Sequence, residues 1–329
     1  LQAAARSWGL RAGQPVVAVV ANTRARAEDA AEAVWVEYEE LPAVVDIDAA
    51  RASDAPVISP ELGDNVCFRA QIDTGGIDDV FAEAAHVVEE EFHFGRHTAV
   101  TMEPRAIIAD YDPNERRLTA HHATQTPYQF QDIYSRHFGI PEAKVRVVAP
   151  DIGGSFGMKL HVYHEDMATV GLSIMLGRPV KYVADRIESF VSDIHARDHR
   201  VRARMALDNE GTILAMDVDD VTAVGPFSAY PRTSVVEGNQ VFRLIGTPYR
   251  FQHYRAGLQV VFQNKVQMSQ YRAVGHPIAF AVTERLVDMA ADKTGLDPVD
   301  IRSRNLIPDD AYHCVSPGGY KSEALSHQA

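Results

Sequence analysis

Pro150-Asp151-Ile152-Gly153-Gly154-Ser155-Phe156-Gly157-Met158-Lys159 is the stretch on which the rest of the chain turns. The apolar run before it, Val145-Arg146-Val147-Val148-Ala149, predicts a strand, and the spacing of apolar residues from Tyr163 to Leu176 predicts a buried helix after it. Glycines at 153, 154 and 157 let the backbone take positive φ and come close to a ligand with no Cβ in the way. Loop amides aimed at the start of a helix make a cradle for an anionic group. A tight strand-to-helix turn that binds nothing uses the same glycines. The pattern is neither G-x-G-x-x-G nor a Walker loop, so the loop alone leaves both open.

Two further segments bear on the choice. Upstream lies His121-His122-Ala123-Thr124-Gln125-Thr126-Pro127; downstream lies Gln270-Tyr271-Arg272-Ala273-Val274-Gly275-His276-Pro277. Around them stand Met102-Glu103-Pro104-Arg105, Asp297-Pro298, Arg304-Asn305-Leu306 and Ser316-Pro317-Gly318-Gly319-Tyr320. Together and in this order they resemble the molybdopterin-binding large subunit of the molybdenum hydroxylases, the xanthine dehydrogenase, aldehyde oxidase and carbon monoxide dehydrogenase family. The resemblance implies an α+β chain: a partial α/β hammerhead domain over 1–52, a linker over 53–76, and the first molybdopterin-binding domain over 77–329.

It also implies roles. A neutral amide donates to a metal-oxo group without adding charge, and Gln125 matches the glutamine near the apical oxo ligand of the metal. Gly153, Gly154, Phe156 and Gly157 match the cofactor-contacting loop, with the phenylalanine above the metal site. Arg272, whose planar fork suits a phosphate or oxo-anion, matches the second pterin-site loop. No residue of the chain is expected to ligate the metal directly. The family's base is a glutamate in a glycine-rich loop, expected beyond residue 329; Glu323 does not sit in that motif.

The departures from the family narrow the substrate. Carbon monoxide dehydrogenases have a cysteine after the matching arginine, where this chain has Ala273. The purine-oxidising members' glutamate, arginine and stacking phenylalanine correspond to Leu160, Gln240 and Val274. A pocket so changed is more apolar and suits an aldehyde or a hydrophobic N-heterocycle better than xanthine. The implied cofactor is molybdenum-molybdopterin in its cytosine dinucleotide form. FAD and 2Fe-2S clusters would sit on partner subunits, and the C-terminal half of the large subunit would complete the site. The rival class is a non-catalytic scaffold with a degenerate pterin site.

Composition is compatible with either. The 329 residues suffice for two domains, and 46% apolar with 23% charged residues is ordinary for a globular protein. Lys plus Arg at 32 against Asp plus Glu at 45 gives −13, which argues against a nucleic-acid or anionic-membrane surface. Cys67 and Cys314 are too few and too far apart for a cluster or a structural zinc, and are expected as buried free thiols. His121, His122 and the run His164-Glu165-Asp166 are expected in packing and polar networks. No run approaches the ~20 apolar residues of a membrane span, and Leu1 to Leu10 is not a signal peptide, so a cytoplasmic protein is expected. The absent initiator Met makes a fragment the expectation.

In chain order, strands are predicted at 14–21, 34–39, 87–93, 107–110, 118–122, 201–207, 212–221 and 254–262. Helices are predicted at 24–33, 78–84, 130–139 and 277–294, the last two stopped by Gly139 and Gly295. Asn209-Glu210-Gly211 reads as the turn of a hairpin.

Overall fold

The structure is a computed structural model that describes residues 11–322. Its helices and strands run α1 (Arg24–Glu32), α2 (Ile47–Arg51), β1 (Val66–Asp73), α3 (Ile77–Glu83), β2 (His86–Phe94), β3 (Ala106–Asp112) and β4 (Arg117–His122). Then come α4 (Pro127–Phe138), β5 (Val145–Val148), α5 (His164–Leu176), β6 (Val180–Val183), α6 (Arg186–Ser192), β7 (His199–Leu207) and β8 (Ile213–Ala223). The remainder is α7 (Val236–Leu244), β9 (His253–Val261), α8 (His276–Thr294), α9 (Pro298–Asn305) and the short pair β10 (Cys314–Val315) and β11 (Lys321–Ser322).

Two sheets carry the fold. The larger has the order β1-β9-β8-β7-β2, antiparallel except for the parallel pair β8–β9, whose connection carries α7. Side chains alternate across each strand. Met205, Met216, Val218, Tyr254 and Leu258 therefore share one face, where α7 and α8 bury Val241, Phe242, Ile278, Val282 and Leu286 against them. The opposite face takes α2 through Ile47 and Ala50 on Val221 and Val261, and α3 through Ile77 on Ala206 and Ala215. The smaller sheet, β5-β4-β3-β6, packs Ile107, Leu118 and Ala120 against Phe130, Ile133 and Tyr134 of α4 and Val170 of α5. Pro127 at the first turn of α4 and left-handed Gly139 behind it set that helix's ends.

Several expectations are corrected. Residues 14–21 and 34–39 form no strand. Val16, Val17, Trp35 and Tyr38 stand exposed, and without a neighbour to complete a ladder, apolar alternation alone makes no sheet. The stretch read as a linker contains β1, an edge strand of the larger sheet, because Val66 to Asp73 finds β9 as its partner. The loop amides do not stand at the start of α5. A single 3-10 turn, Met158–Leu160, follows Gly157, and α5 begins only at His164. Cys67 and Cys314 are free but half-buried rather than buried, and burial pushes the Cys67 thiol up to about 11. Among the described residues no helix is long and apolar enough to cross a membrane. Glu323 lies outside the described residues.

Candidate functional site: three converging loops

Each glycine of the central loop is needed for a different reason. Gly153 has ordinary φ but lies flat against Glu103, where a Cβ would sit 2.4 Å from the Glu103 Cβ. Gly154 takes φ 97°, a left-handed value, with only the Phe156 ring and Thr101 side chain close by. Gly157, at φ 103°, is pressed against the next loop, so that a Cβ would meet the Gln270 carbonyl oxygen at 2.6 Å. Phe156 itself takes φ 56°, a strained value for an aromatic residue, and the residue is 46% exposed.

A half-buried ion pair pins the loop. The Glu103 amide donates to the Gly153 carbonyl at 3.0 Å, and the Gly153 amide returns a bond to the Glu103 carboxylate at 3.0 Å. The same oxygen accepts from the Lys159 ammonium at 2.6 Å, on a lysine side chain with no exposure. Burial works against ionising Glu103, yet the ammonium and the Gly153 N–H outweigh it and hold the carboxyl below its ordinary value.

Gln125 reaches the loop from the turn between β4 and α4. That turn is fixed by the Thr124 hydroxyl, 2.8 Å from the Lys159 carbonyl it donates to, and by the Gln125 amide on the same oxygen. Gln125 Oε1 accepts from the Gly157 amide at 3.0 Å and from the Ser155 hydroxyl. A backbone N–H can only donate, so the amide orientation is settled. Gln125 Nε2 is left without an acceptor among the described residues.

The second loop docks on the first, with the Arg272 amide donating to the Phe156 carbonyl at 2.9 Å. Ala273 takes φ 63°. The Arg272 guanidinium is exposed and makes no hydrogen bond or ion pair among the described residues. The structure thus brings together Gln125, Gly153, Gly154, Phe156, Gly157 and Arg272. Val274 is half-buried in the second loop, and Gln240, on α7, places its Cβ against Gly275. Leu160 is buried, and its carbonyl accepts from the Gln129 amide at 2.7 Å.

Several contributors escaped the sequence. Nothing in Met102-Glu103-Pro104-Arg105 singles out Glu103, and Ser155 and Lys159 are hidden among the glycines of the loop. Arg197 and Glu237, which hold the second loop from beneath, gave no signal, because they pair across 40 positions.

The donor inventory decides what these loops suit. The amides of Gly153, Gly154 and Gly157 are spent on Glu103, on the Ile152 carbonyl and on Gln125. Those of Ser155, Phe156 and Ala273 have no acceptor among the described residues. Three free N–H groups, an amide NH2 and a guanidinium, all donors, thus lie on loops that touch one another. Such a set suits a group rich in phosphate or oxo oxygens, which is the chemistry of a molybdopterin.

Fold and donor set thus have the features of a domain suited to an oxyanion-bearing cofactor. A family model described as the molybdopterin cofactor-binding domain matches residues 58–306. The 6-hydroxypseudooxynicotine dehydrogenase complex subunit gamma of Paenarthrobacter nicotinovorans is 37% identical over 300 residues, 91% of this chain and 37% of that protein. The carbon monoxide dehydrogenase large chain of Hydrogenophaga pseudoflava is 32% identical over 330 residues, 94% of this chain and 40% of the other. The crystal structure of quinoline 2-oxidoreductase from Pseudomonas putida 86 superposes with a TM-score of 0.89 at 34% identity, covering 92% of this chain and 38% of that one. The chain belongs to the molybdopterin cofactor-binding family of the molybdenum hydroxylase large subunits, and it spans 37–40% of the length of these relatives.

Proposed function

We propose that this chain grips the molybdenum-molybdopterin of a hydroxylase that oxidises an aldehyde or an N-heterocycle with water as the oxygen source. The observation that carries this is the convergence of unspent donors from Gln125, the glycine loop and Arg272. The bound cofactor supplies the redox and oxygen-transfer chemistry. The chain supplies grip and orientation. The N–H groups of Ser155, Phe156 and Ala273 and the Arg272 guanidinium hold anionic oxygens, while Gln125 Nε2 donates one neutral hydrogen bond. The Phe156 ring, half-exposed above the loop, limits what approaches from its side.

Leu160, Gln240 and Val274 in place of purine-recognising residues favour an apolar substrate, and Ala273 in place of a cysteine disfavours a copper-dependent reaction on carbon monoxide. Relatives named for quinoline and nicotine oxidation support the N-heterocycle arm. The reading includes the cytosine dinucleotide form of the pterin, FAD and 2Fe-2S clusters on partner subunits, a base glutamate beyond residue 329, and a cytoplasmic location. It keeps residues 1–52 as part of a hammerhead and 77–329 as the cofactor domain, with β1 in the connecting stretch. The loops present an open surface, with Met102 90% and Tyr128 85% exposed, which favours a further chain segment as their cover.

The test is metal and pterin analysis of the protein purified with the chains that accompany it. Near-stoichiometric molybdenum in the wild type, falling severalfold in Arg272→Met and Gln125→Leu variants, is the expected result. A wild-type protein without molybdenum or pterin would instead establish the scaffold reading.

A further inference from the structure

Behind the Arg272 loop lies a polar cluster that contacts neither solvent nor the meeting point of the loops. Glu237, on α7, is 2% exposed. Its carboxylate accepts from the Arg197 amide at 2.9 Å, from the Arg197 guanidinium, and from the Gly275 amide at 3.2 Å. His199 Nε2 stands 3.8 Å from the same carboxylate and is anchored at Nδ1 by Asp220 at 2.8 Å. The second arm of the Arg197 fork donates to the Arg272 carbonyl, and its guanidinium lies 5.3 Å from the Tyr271 ring. Arg197 takes φ 68° to make these contacts. A non-glycine residue keeps such a conformation only where its surroundings over-determine it.

We propose that Arg197 and Glu237 are positioning residues that clamp both ends of the Arg272–Gly275 turn and so aim Arg272 at the cofactor. This rests on the cofactor-binding reading of that turn. Arg197 grips the carbonyl at its start and Glu237 the amide at its end. The two are held to each other by a buried ion pair that leaves little freedom in between. The Arg272 side chain needs no partner of its own, because its backbone is fixed from beneath. A planar fork is required: one arm serves Glu237 while the other serves the carbonyl, a division that a lysine ammonium does not reproduce.

Arg197→Lys is the informative variant, because it keeps a positive charge opposite Glu237 and spares the core an unpaired carboxylate. The experiment uses the protein as purified from its host with its accompanying chains. Melting temperature, hydrogen exchange of the amides from Val274 to His276, and molybdenum and pterin per chain after exhaustive dialysis are measured. The expected result is a melting temperature within a few degrees of wild type, exchange about tenfold faster in the turn, and severalfold less retained cofactor. Glu237→Gln, whose single acceptor oxygen can serve the Arg197 amide or the Gly275 amide but not both, is expected to speed exchange in the turn as well. Wild-type exchange in Arg197→Lys, or faster exchange with full cofactor retention, overturns the positioning role. A wild-type protein with no cofactor refutes the underlying reading instead, and the exchange comparison then still decides whether the pair clamps the turn.

Discussion

Gly154 and Gly157 both have positive φ, yet they should respond differently to a methyl group. At Gly154 the new Cβ meets side chains, the Phe156 ring at 3.1 Å and Thr101 at 3.5 Å, which can give way. The cost is mainly the left-handed strain of about 1 kcal/mol. At Gly157 the neighbour is the Gln270 carbonyl, backbone of the adjoining loop, so the two loops must separate and the Arg272-to-Phe156 hydrogen bond is lost with them. Gly154→Ala is expected to melt within a few degrees of wild type, and Gly157→Ala to expose the Arg272 amide to rapid exchange. Equal exchange at Arg272 in the two variants would show that the loops are not coupled through Gly157. At this scale the sequence was legible only in part. Glycines and an exposed arginine announce a ligand loop, but which amides remain free depends on Glu103 and Gln125 folding back onto it. The free N–H groups belong to Ser155 and Phe156 rather than to the glycines on either side of them.

Strands and helices were legible where local pattern and tertiary partner agreed. The β7–β8 hairpin alternates over both arms and has its turn residues, and α8 has a continuous apolar stripe and Gly295 to stop it. The short α2, β6 and α6 were missed because so few residues carry little periodicity. α7 was missed although it buries Val241 and Phe242, since Glu237 and Gly238, which it also buries, disguise its inner face. The opposite error occurred at 14–21 and 34–39, where a strand pattern lacks a ladder. Those extended segments should exchange their amides orders of magnitude faster than β8, which is bonded on both sides by β7 and β9. Proton exchange followed by mass spectrometry on this chain checks it. Protection in 14–21 equal to that of β8 would mean that the segment has found a partner strand.

For the molecule as a whole, acid sensitivity follows from buried neutral histidines. Burial pushes His161 and His195 from 6.5 down to about 4. Between those values the unfolded chain binds protons that the folded one refuses, so stability falls as pH drops from about 6.5 and levels off below about 4. For the nearly inaccessible His161 the loss is on the order of 3 kcal/mol. Urea titrations from pH 7 to 4 should show it, and His161→Asn should flatten part of the slope. Turnover is a separate matter. Met102 and Tyr128 stand exposed beside the loops, and of the loop carboxylates among the described residues Glu103 is tied to Lys159 and Gly153, while Asp151, without a partner, lies in the exposed lead-in two residues before Gly153. A general base must stand within hydrogen-bond reach of the proton it takes. The isolated 329-residue chain is therefore expected to give no dye reduction with aldehydes or N-heterocycles above a metal-free control, even when supplied with cofactor. The same assay on the complex should show a higher kcat/KM for an apolar heterocycle than for xanthine. Robust turnover by the chain alone would mean that a residue on these loops supplies the base, and Asp151, unpaired among the described residues, would be the first to substitute, followed by Glu103.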